Sequence, residues 1–167
     1  MFDFFKKKKN SEKPSGDLNL LAAVDGTTIP LAQVPDPVFA EKMAGDGIAI
    51  NPTGDTIVAP ADGELTLVFN TKHAFALTLD NGIELLVHIG IDTVSLKGEG
   101  FEQLAEAGTR VKAGTPIIKI DRNFITEKGF SLITPILITN VDSVKSITPN
   151  EGINATAGQT SVVEYTL

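Results

Sequence analysis

The chain has 167 residues, of which 42% are hydrophobic, and it contains no cysteine. This length supports one domain with a substantial core, and the missing thiols exclude disulfides, thiolate catalysis and cysteine-based metal sites. The formal net charge is −7, although residues 1–13 are locally basic, with five lysines against two acids. The acidic body argues against nucleic acid as a partner; it favours a basic protein partner or serves solubility alone.

Residues 1–17 are predicted to form an N-terminal tail and residues 18–167 a single domain. The tail places three phenylalanines before Lys6–Lys9 and ends in a linker-like segment. Such a tail either lies on an anionic membrane surface or only keeps the chain soluble. No apolar run approaches the roughly 20 residues that span a bilayer, and the lysines follow the apolar residues, the reverse of a secretory signal. We therefore expect a cytoplasmic protein that its tail can hold at the inner face of the membrane.

Valine, isoleucine, threonine and leucine dominate the segments between the 15 glycines and 9 prolines. This pattern is typical of an all-β protein with short strands. In chain order, the predicted strands are 18–24, 47–51, 56–59, 64–69, 74–79, 83–89, 116–121, 131–139 and 161–166. Short helical turns are predicted at 37–43, where Asp36 is a good N-cap and Pro37 fits the first position, at 100–107 and at 121–128.

A faint internal duplication runs through these elements. Residues 22–26, AAVDG, echo residues 58–63, VAPADG. Further along, the segments 108–118 and 152–163 each hold two glycines six residues apart before a β-branched run. Two similar β units interleaved in one domain would give this pattern, so we predict a single-domain β-sandwich with an internal duplication.

The strongest turn signal is Asp80-Asn81-Gly82, which separates two apolar runs. Asn-Gly is the preferred pair for a two-residue type I′ hairpin loop, because both residues tolerate positive φ. In that register Asp80 pairs with Ile83, and the two flanking segments form an antiparallel hairpin.

This hairpin carries the only two histidines of the chain. The predicted register sets Phe75 opposite His88 and His73 opposite Gly90, so that all four residues share one face. His73 and His88 are then diagonal neighbours, roughly 7–8 Å apart at the backbone. A slip of one residue would move them to opposite faces.

The second strand of the hairpin has an apolar face and a more polar face. The residues predicted to face the core are Ile83, Leu85, Val87, Ile89 and Ile91. The residues predicted on the other face are Glu84, Leu86, His88, Gly90 and Asp92. Gly90 leaves room beside the His88 ring for another group to approach.

Three kinds of chemistry suit a histidine pair: metal binding, acid–base catalysis, and nucleophilic transfer in which one imidazole supports the other. A catalytic metal needs about three protein ligands. Glu84 and Asp92 continue the same strand rather than converge on the pair, and no metalloprotease, nucleophile-elbow or phosphate-loop motif is present. A nucleophilic imidazole needs neither a cofactor nor a deep pocket.

Residues 86–101, LVHIGIDTVSLKGEGF, are similar to the phosphorylation-site block of the glucose-type enzyme IIA of the bacterial sugar phosphotransferase system. Segments 34–42, 45–52 and 71–75, together with Thr134, Pro135 and Asn140, also resemble that family, and the resemblance covers residues 20–167. It implies an all-β sandwich of duplicated, hybrid-barrel character with a few short helical turns.

The resemblance also implies roles for four residues. His88 would accept a phosphoryl group on Nε2 from the carrier HPr and pass it to a cysteine of the IIB component of a sugar permease (IIB/IIC). His73 would hydrogen-bond the phosphoryl group, and Thr71 would hold the His73 ring. The Gly90 carbonyl would accept from Nδ1 of His88, which leaves Nε2 free. No cofactor is required.

For docking, the resemblance implies an exposed apolar collar with acidic residues at its rim. The acidic residues, Asp36 and Asp92, would meet arginines of HPr and IIB. The collar residues are Val38, Phe39, Phe69, Leu86 and Val94.

Two competing hypotheses remain at this point. Related hybrid-barrel folds host zinc peptidases, so a zinc hydrolase is one; in a weaker form, His73 and His88 bind zinc only with a carboxylate lent by a partner. The other is a regulatory protein that binds other permeases and enzymes when it carries no phosphate.

Overall fold

Short β-branched and leucine-rich segments, separated by glycine-containing turns, form antiparallel strands throughout the computed structural model, which describes residues 18–167. The predicted tail, residues 1–17, lies outside the described residues. The strands are β1 (Asn19–Leu21), β2 (Gly26–Ile29), β3 (Asp46–Pro52), β4 (Thr56–Val58), β5 (Gly63–Val68), β6 (Ala74–Thr78), β7 (Glu84–His88), β8 (Phe101–Gln103), β9 (Thr109–Val111), β10 (Pro116–Ile120), β11 (Thr134–Ile138), β12 (Ser146–Pro149), β13 (Asn154–Ala155) and β14 (Ser161–Thr166). The all-β prediction is confirmed.

The helical elements of this part of the chain are short. They are α1 (Pro37–Ala40), α2 (Arg122–Glu127) and the 3-10 turns Leu31–Gln33, Thr93–Leu96 and Val141–Ser143. Within residues 18–167, no helix has the length and apolar character needed to cross a membrane.

The strands form one large sheet and two small ones. The large sheet has the order β13-β2-β3-β11-β7-β6-β5-β9, and the small sheets have the orders β1-β14-β12 and β4-β10-β8. All three sheets contribute to one hydrophobic core, in which Phe75 is the largest fully buried side chain. A second, smaller cluster lies on the other face of the large sheet, where Leu31, Val34 and Phe39 cover Ala49 and Leu137. This second cluster places α1 beside the end of β7.

The internal duplication is visible in matching hydrogen bonds. The Asp25 side chain accepts a bond from the Ala157 N–H at 2.7 Å, and the Asp62 side chain accepts one from the Ala113 N–H at 2.8 Å. Asp25 therefore holds the turn between Gly152 and Gly158, and Asp62 holds the equivalent turn between Gly108 and Gly114. The duplicated sandwich is confirmed.

All nine predicted strands are present, with ends that differ by up to three residues. The helical turns after Asp36 and Asp121 are also confirmed, since the two carboxylates accept from the N–H groups of Val38 and Phe124. The strands that the sequence did not predict are short ones: β2, β8, β9, β12 and β13.

The helical prediction at 100–107 is wrong. Residues Phe101–Gln103 form β8, which pairs with β10 through Phe101 opposite Ile120. Phe101 is 7% exposed and belongs to the main core. Pairing with β10 outweighs the helical spacing of a short segment whose intrinsic preference is weak.

The predicted two-residue hairpin loop is also wrong. Leu79 N–H donates to the Ile83 carbonyl at 2.9 Å and Gly82 N–H donates to the Leu79 carbonyl at 3.0 Å, so the loop has three residues, 80–82. Only Gly82 takes the left-handed conformation there, with φ +89°. Asn81 instead accepts from Ile83 N–H at 3.1 Å and donates to the Tyr165 hydroxyl at 3.0 Å. These side-chain bonds favour a three-residue loop that ends in glycine, a common alternative to type I′.

The longer loop shifts the register by one residue. Ala74, not Phe75, lies opposite His88, and Phe75 pairs with Val87 and faces the main core. The predicted face shared by His73, Phe75 and His88 is therefore wrong.

The predicted alternation along β7 is correct as far as Ile89. Residues 83, 85, 87 and 89 all face the main core. Ile91 instead joins the second cluster, because Gly90 has φ +80° and ends the alternation.

Candidate functional site

The two histidines meet at the open end of the β6–β7 hairpin. Their ring centroids are 5.0 Å apart and the planes are nearly perpendicular, at 80°. The predicted proximity is therefore correct, although the predicted register is not. His73 precedes β6 and is not bound by strand alternation, because Lys72 takes the left-handed conformation with φ +60°. The His73 carbonyl accepts from Ile89 N–H at 2.6 Å, which anchors the bend beside the end of β7.

The tautomer of His88 follows from its backbone partner. Nδ1 lies 2.8 Å from the Gly90 carbonyl oxygen, and a carbonyl can only accept, so Nδ1 carries the proton. In a neutral ring Nε2 then has a free lone pair. Gly90 is required here, since a Cβ at that position would lie 2.6 Å from Thr93 Cγ2 and 2.8 Å from the Ser131 carbonyl oxygen.

His73 is held by a side chain and by an aromatic ring. Its Nδ1 shares a hydrogen bond of 2.6 Å with the Thr71 hydroxyl, whose direction depends on the tautomer of the ring. The Phe69 and His73 rings meet in a T-shaped arrangement, with their centroids 5.3 Å apart. If Thr71 donates, His73 Nε2 carries a proton and can donate to a group bound at His88.

The electrostatics keep both imidazoles neutral at pH 7. Burial, and then the neighbouring His88, lower the pKa of His73 from 6.5 to about 4. Burial also lowers the pKa of His88, opposed by the Gly90 hydrogen bond and by the charges of Asp36 and Asp92. A neutral imidazole with a free Nε2 lone pair is the state that can act as a nucleophile.

The predicted collar is only partly exposed. Val38 and Val94 are 42% and 51% exposed, while Phe69 and Leu86 are half-buried. Phe39 is 5% exposed, so the expectation that it belongs to an exposed patch is wrong. It forms a wall of the site, because its ring packs on His88 at 4.8 Å between centroids and continues into the second cluster.

The negative charges of Asp36 and Asp92 both act on the His88 ring, and each raises its pKa. Asp36 is fixed as the N-cap of α1, where it accepts from Val38 N–H at 2.9 Å. Asp92 is exposed and left-handed, with φ +61°. The site therefore combines a negative rim with the exposed side chains of Val38 and Val94.

Among residues 18–167, no group of three or more histidine, cysteine or acidic side chains is arranged to hold a metal ion. His73 and His88 would supply only two nitrogen ligands, and a third would have to come from elsewhere.

The sequence did not indicate what Thr93 and Asn140 do. Thr93 is fully buried and donates to the Ile89 carbonyl beside the site. Asn140 accepts from Glu84 N–H at 2.8 Å and donates to the Gly82 carbonyl at 2.9 Å, which secures the far end of β7. A polar residue close to the core positions Ile89 and Ile91 is the only sequence feature that could have drawn attention to Thr93.

The chain is similar to components of the sugar phosphotransferase system along almost its whole length. The chain is 44% identical over 163 residues to the PTS system glucose-specific EIIA component of Bacillus anthracis, an alignment that covers 98% of this chain and 99% of the relative. It is 43% identical to the corresponding component of Staphylococcus epidermidis, with 98% and 96% of the two chains covered. Its fold matches the glucose permease IIA of Mycoplasma capricolum with a TM-score of 0.81 and 40% identity, covering 87% of this chain and 94% of that one.

Residues 18–144 match the model of one protein family, the phosphoenolpyruvate-dependent sugar phosphotransferase system, EIIA 1. That match includes both histidines, Thr71 and Gly90, and it spans most of the domain. With paired imidazoles on a β-sandwich and close relatives along almost the whole chain, this protein belongs to the EIIA 1 family of the sugar phosphotransferase system.

Proposed function

We propose that the protein carries a phosphoryl group on Nε2 of His88 during sugar uptake, accepting it from phospho-HPr and passing it to a IIB component. The observation that carries this proposal is the 2.8 Å bond from His88 Nδ1 to the Gly90 carbonyl, which leaves Nε2 free beside His73. Family membership supports phosphoryl transfer as the chemistry.

The transfer needs only the groups at the site and on its partners. In the first step, the Nε2 lone pair of His88 forms a bond to phosphorus while the P–N bond of the donor phosphohistidine breaks, and that electron pair returns to the donor ring. In the second step, a IIB cysteine thiolate attacks phosphorus and the P–N bond to His88 breaks in the same way. Positioning and neutralising the charge on three phosphoryl oxygens supply most of such catalysis.

His73 is the supporting residue in this scheme. Its ring lies 5.0 Å from the His88 ring between centroids, and Thr71 fixes its orientation. A proton on His73 Nε2 would donate to a phosphoryl oxygen on His88. Burial lowers the pKa of His73 to about 4 in the unphosphorylated protein, so His73 is neutral there and offers a hydrogen bond without a positive charge before the phosphoryl group arrives.

The partners would dock around Val38 and Val94, with Asp36 and Asp92 facing basic side chains. Small apolar surfaces with charged rims are suited to transient partners. Exchange with HPr and a IIB/IIC permease places the chain in the cytoplasm. The scheme needs no cofactor, and zinc between His73 and His88 would need a carboxylate from a partner.

A reconstituted transfer assay tests the proposal. With enzyme I, HPr and phosphoenolpyruvate, the wild-type chain should take up one acid-labile phosphate, and His88→Ala should take up none. His73→Gln should still accept phosphate but pass it slowly to IIB. Uptake by His88→Ala at the wild-type rate would overturn the assignment of His88, and normal onward transfer by His73→Gln would remove His73 from the mechanism.

A further inference from the structure

Thr93 is a fully buried polar residue that the proposed transfer does not use. Its hydroxyl donates to the Ile89 carbonyl at 2.5 Å. Ile89 stands between His88 and Gly90, and its N–H donates to the His73 carbonyl at 2.6 Å. Both polar backbone groups of Ile89 are therefore held, one by the bend that carries His73 and the other by Thr93.

The backbone beyond Ile89 has an unusual shape that needs support. Gly90 and Asp92 both take the left-handed conformation, with φ values of +80° and +61°. Residues with a side chain rarely take this conformation, although aspartate tolerates it better than most. Two contacts hold the bend: Ile91 N–H donates to the Ser131 carbonyl at 3.0 Å, and Thr93 reaches back to Ile89.

Thr93 also packs directly against Gly90. Its Cγ2 would lie only 2.6 Å from a Cβ at position 90, so the methyl group fills the space that glycine leaves. Thr93 thus bonds to the residue before Gly90 and touches Gly90 itself. A shift of Thr93 would be felt at the Gly90 carbonyl, which accepts the proton of His88 Nδ1.

We infer that Thr93 is a positioning residue that selects the Nδ1–H tautomer of His88 by fixing the Gly90 carbonyl. The inference rests on the proposed function, because the tautomer matters only if Nε2 is the nucleophile. Without the Thr93 hydroxyl, the buried Ile89 carbonyl loses its donor and the bend relaxes to find another. The His88 ring can then hold its proton on either nitrogen, and a ring protonated at Nε2 has no lone pair there to attack phosphorus.

The experiment measures the ring ¹⁵N shifts of His88 in the unphosphorylated protein and the initial rate of phosphoryl acceptance from phospho-HPr. Wild type and Thr93→Ser, which keeps the hydroxyl, should show Nδ1–H and similar rates. Thr93→Val, which keeps the shape but loses the hydroxyl, should show a mixture of tautomers. Its acceptance rate should fall by about 10- to 100-fold, by analogy with the loss seen when outer-shell partners of metal-binding histidines are removed.

Thr28→Val is the matched control. Thr28 is also fully buried and donates to a backbone carbonyl, that of Asn150, at 2.7 Å. It lies on β2, which β3 and β11 separate from β7, a distance of about 14 Å at ordinary strand spacing. Because Thr28 Oγ1 also accepts from Ile153 N–H at 3.0 Å, this variant should lose at least as much stability as Thr93→Val, but it should keep the wild-type tautomer and rate.

Three results would overturn the inference. The first is an Nε2–H tautomer in the wild-type protein, which needs no variant to detect. The second is a folded Thr93→Val with the wild-type tautomer and rate, and the third is a Thr93→Ser variant as impaired as Thr93→Val. If Thr93→Val does not fold, Thr93→Ala takes its place in the same comparison. The tautomer is read without phosphate, so a wild-type chain that takes up no phosphate would refute the proposed function separately.

Discussion

Gly90 is the position where one added methyl group should disturb the candidate site most directly. A Cβ there would lie 2.6 Å from Thr93 Cγ2 and 2.8 Å from the Ser131 carbonyl oxygen, and the residue has φ +80°. In Gly90→Ala the backbone must therefore move, and the Gly90 carbonyl that accepts from His88 moves with it.

Gly82→Ala is the control, because Gly82 has the same left-handed conformation as Gly90 but has open space around it. Gly82 has φ +89°, and nothing lies within 4 Å of a Cβ at that position. Both variants incur the strain of a left-handed alanine, about 1–2 kcal/mol. Gly90→Ala adds overpacking against a backbone carbonyl, about 1–3 kcal/mol. We therefore expect Gly82→Ala to lower the free energy of unfolding by about 1–2 kcal/mol and Gly90→Ala by about 2–5 kcal/mol.

Urea titrations of the two variants give this difference, and phosphoryl acceptance from phospho-HPr gives the functional effect. Gly82→Ala should accept phosphate at the wild-type rate, because its loop is at the far end of the hairpin from His88. Gly90→Ala should accept it much more slowly, by about 100-fold if the His88 ring is displaced by 1 Å. Equal losses of stability, together with a wild-type rate in Gly90→Ala, would refute the role assigned to the Gly90 carbonyl.

Two further predictions concern pH and docking. His73 has a folded pKa of about 4, below its ordinary 6.5, so the unfolded chain binds the proton first as pH falls and the free energy of unfolding should drop between pH 6.5 and 4. His73→Gln should show a smaller drop in denaturant titrations over that range, and an unchanged drop would contradict the burial of a neutral His73. Val94 is 51% exposed, so Val94→Asp should change the free energy of unfolding by no more than about 0.5 kcal/mol. The same change should slow phosphoryl acceptance from HPr by about tenfold, which corresponds to about 1.4 kcal/mol in the transfer step. Val141→Asp, 40% exposed in the turn after Asn140, should leave the rate unchanged, and equal effects of the two changes would remove Val94 from the docking surface.

The sequence predicted the neighbouring histidines for a partly mistaken reason. The Asn81-Gly82 pair correctly marked a hairpin, but the contact from Asn81 to Tyr165 depends on a strand 84 residues away. Turn preferences describe local backbone energies and contain no such contact. The true register differs from the predicted one by a single residue, which would place the two histidines on opposite faces if His73 belonged to the strand. His73 lies before the strand, however, and the left-handed Lys72 turns it toward His88.

The local features of the fold were easier to predict than the long-range ones. Asp36 and Pro37 set the start of α1 through contacts within three residues, so their pattern alone was sufficient. Phe39 illustrates the opposite case, because a phenylalanine in a short helix has no sequence feature that reveals which neighbours cover it. Its burial depends on Leu31 and Leu137, which come from separate elements and meet only in the folded sheet.

The site of phosphorylation is the central claim, and a ³¹P–¹⁵N correlation spectrum of the phosphorylated chain tests it most directly. Phosphorus should couple to Nε2 of His88, while Nδ1 of the same ring keeps its proton and its bond to the Gly90 carbonyl. Phosphorus coupled to Nδ1 of His88, or to either nitrogen of His73, would contradict the account.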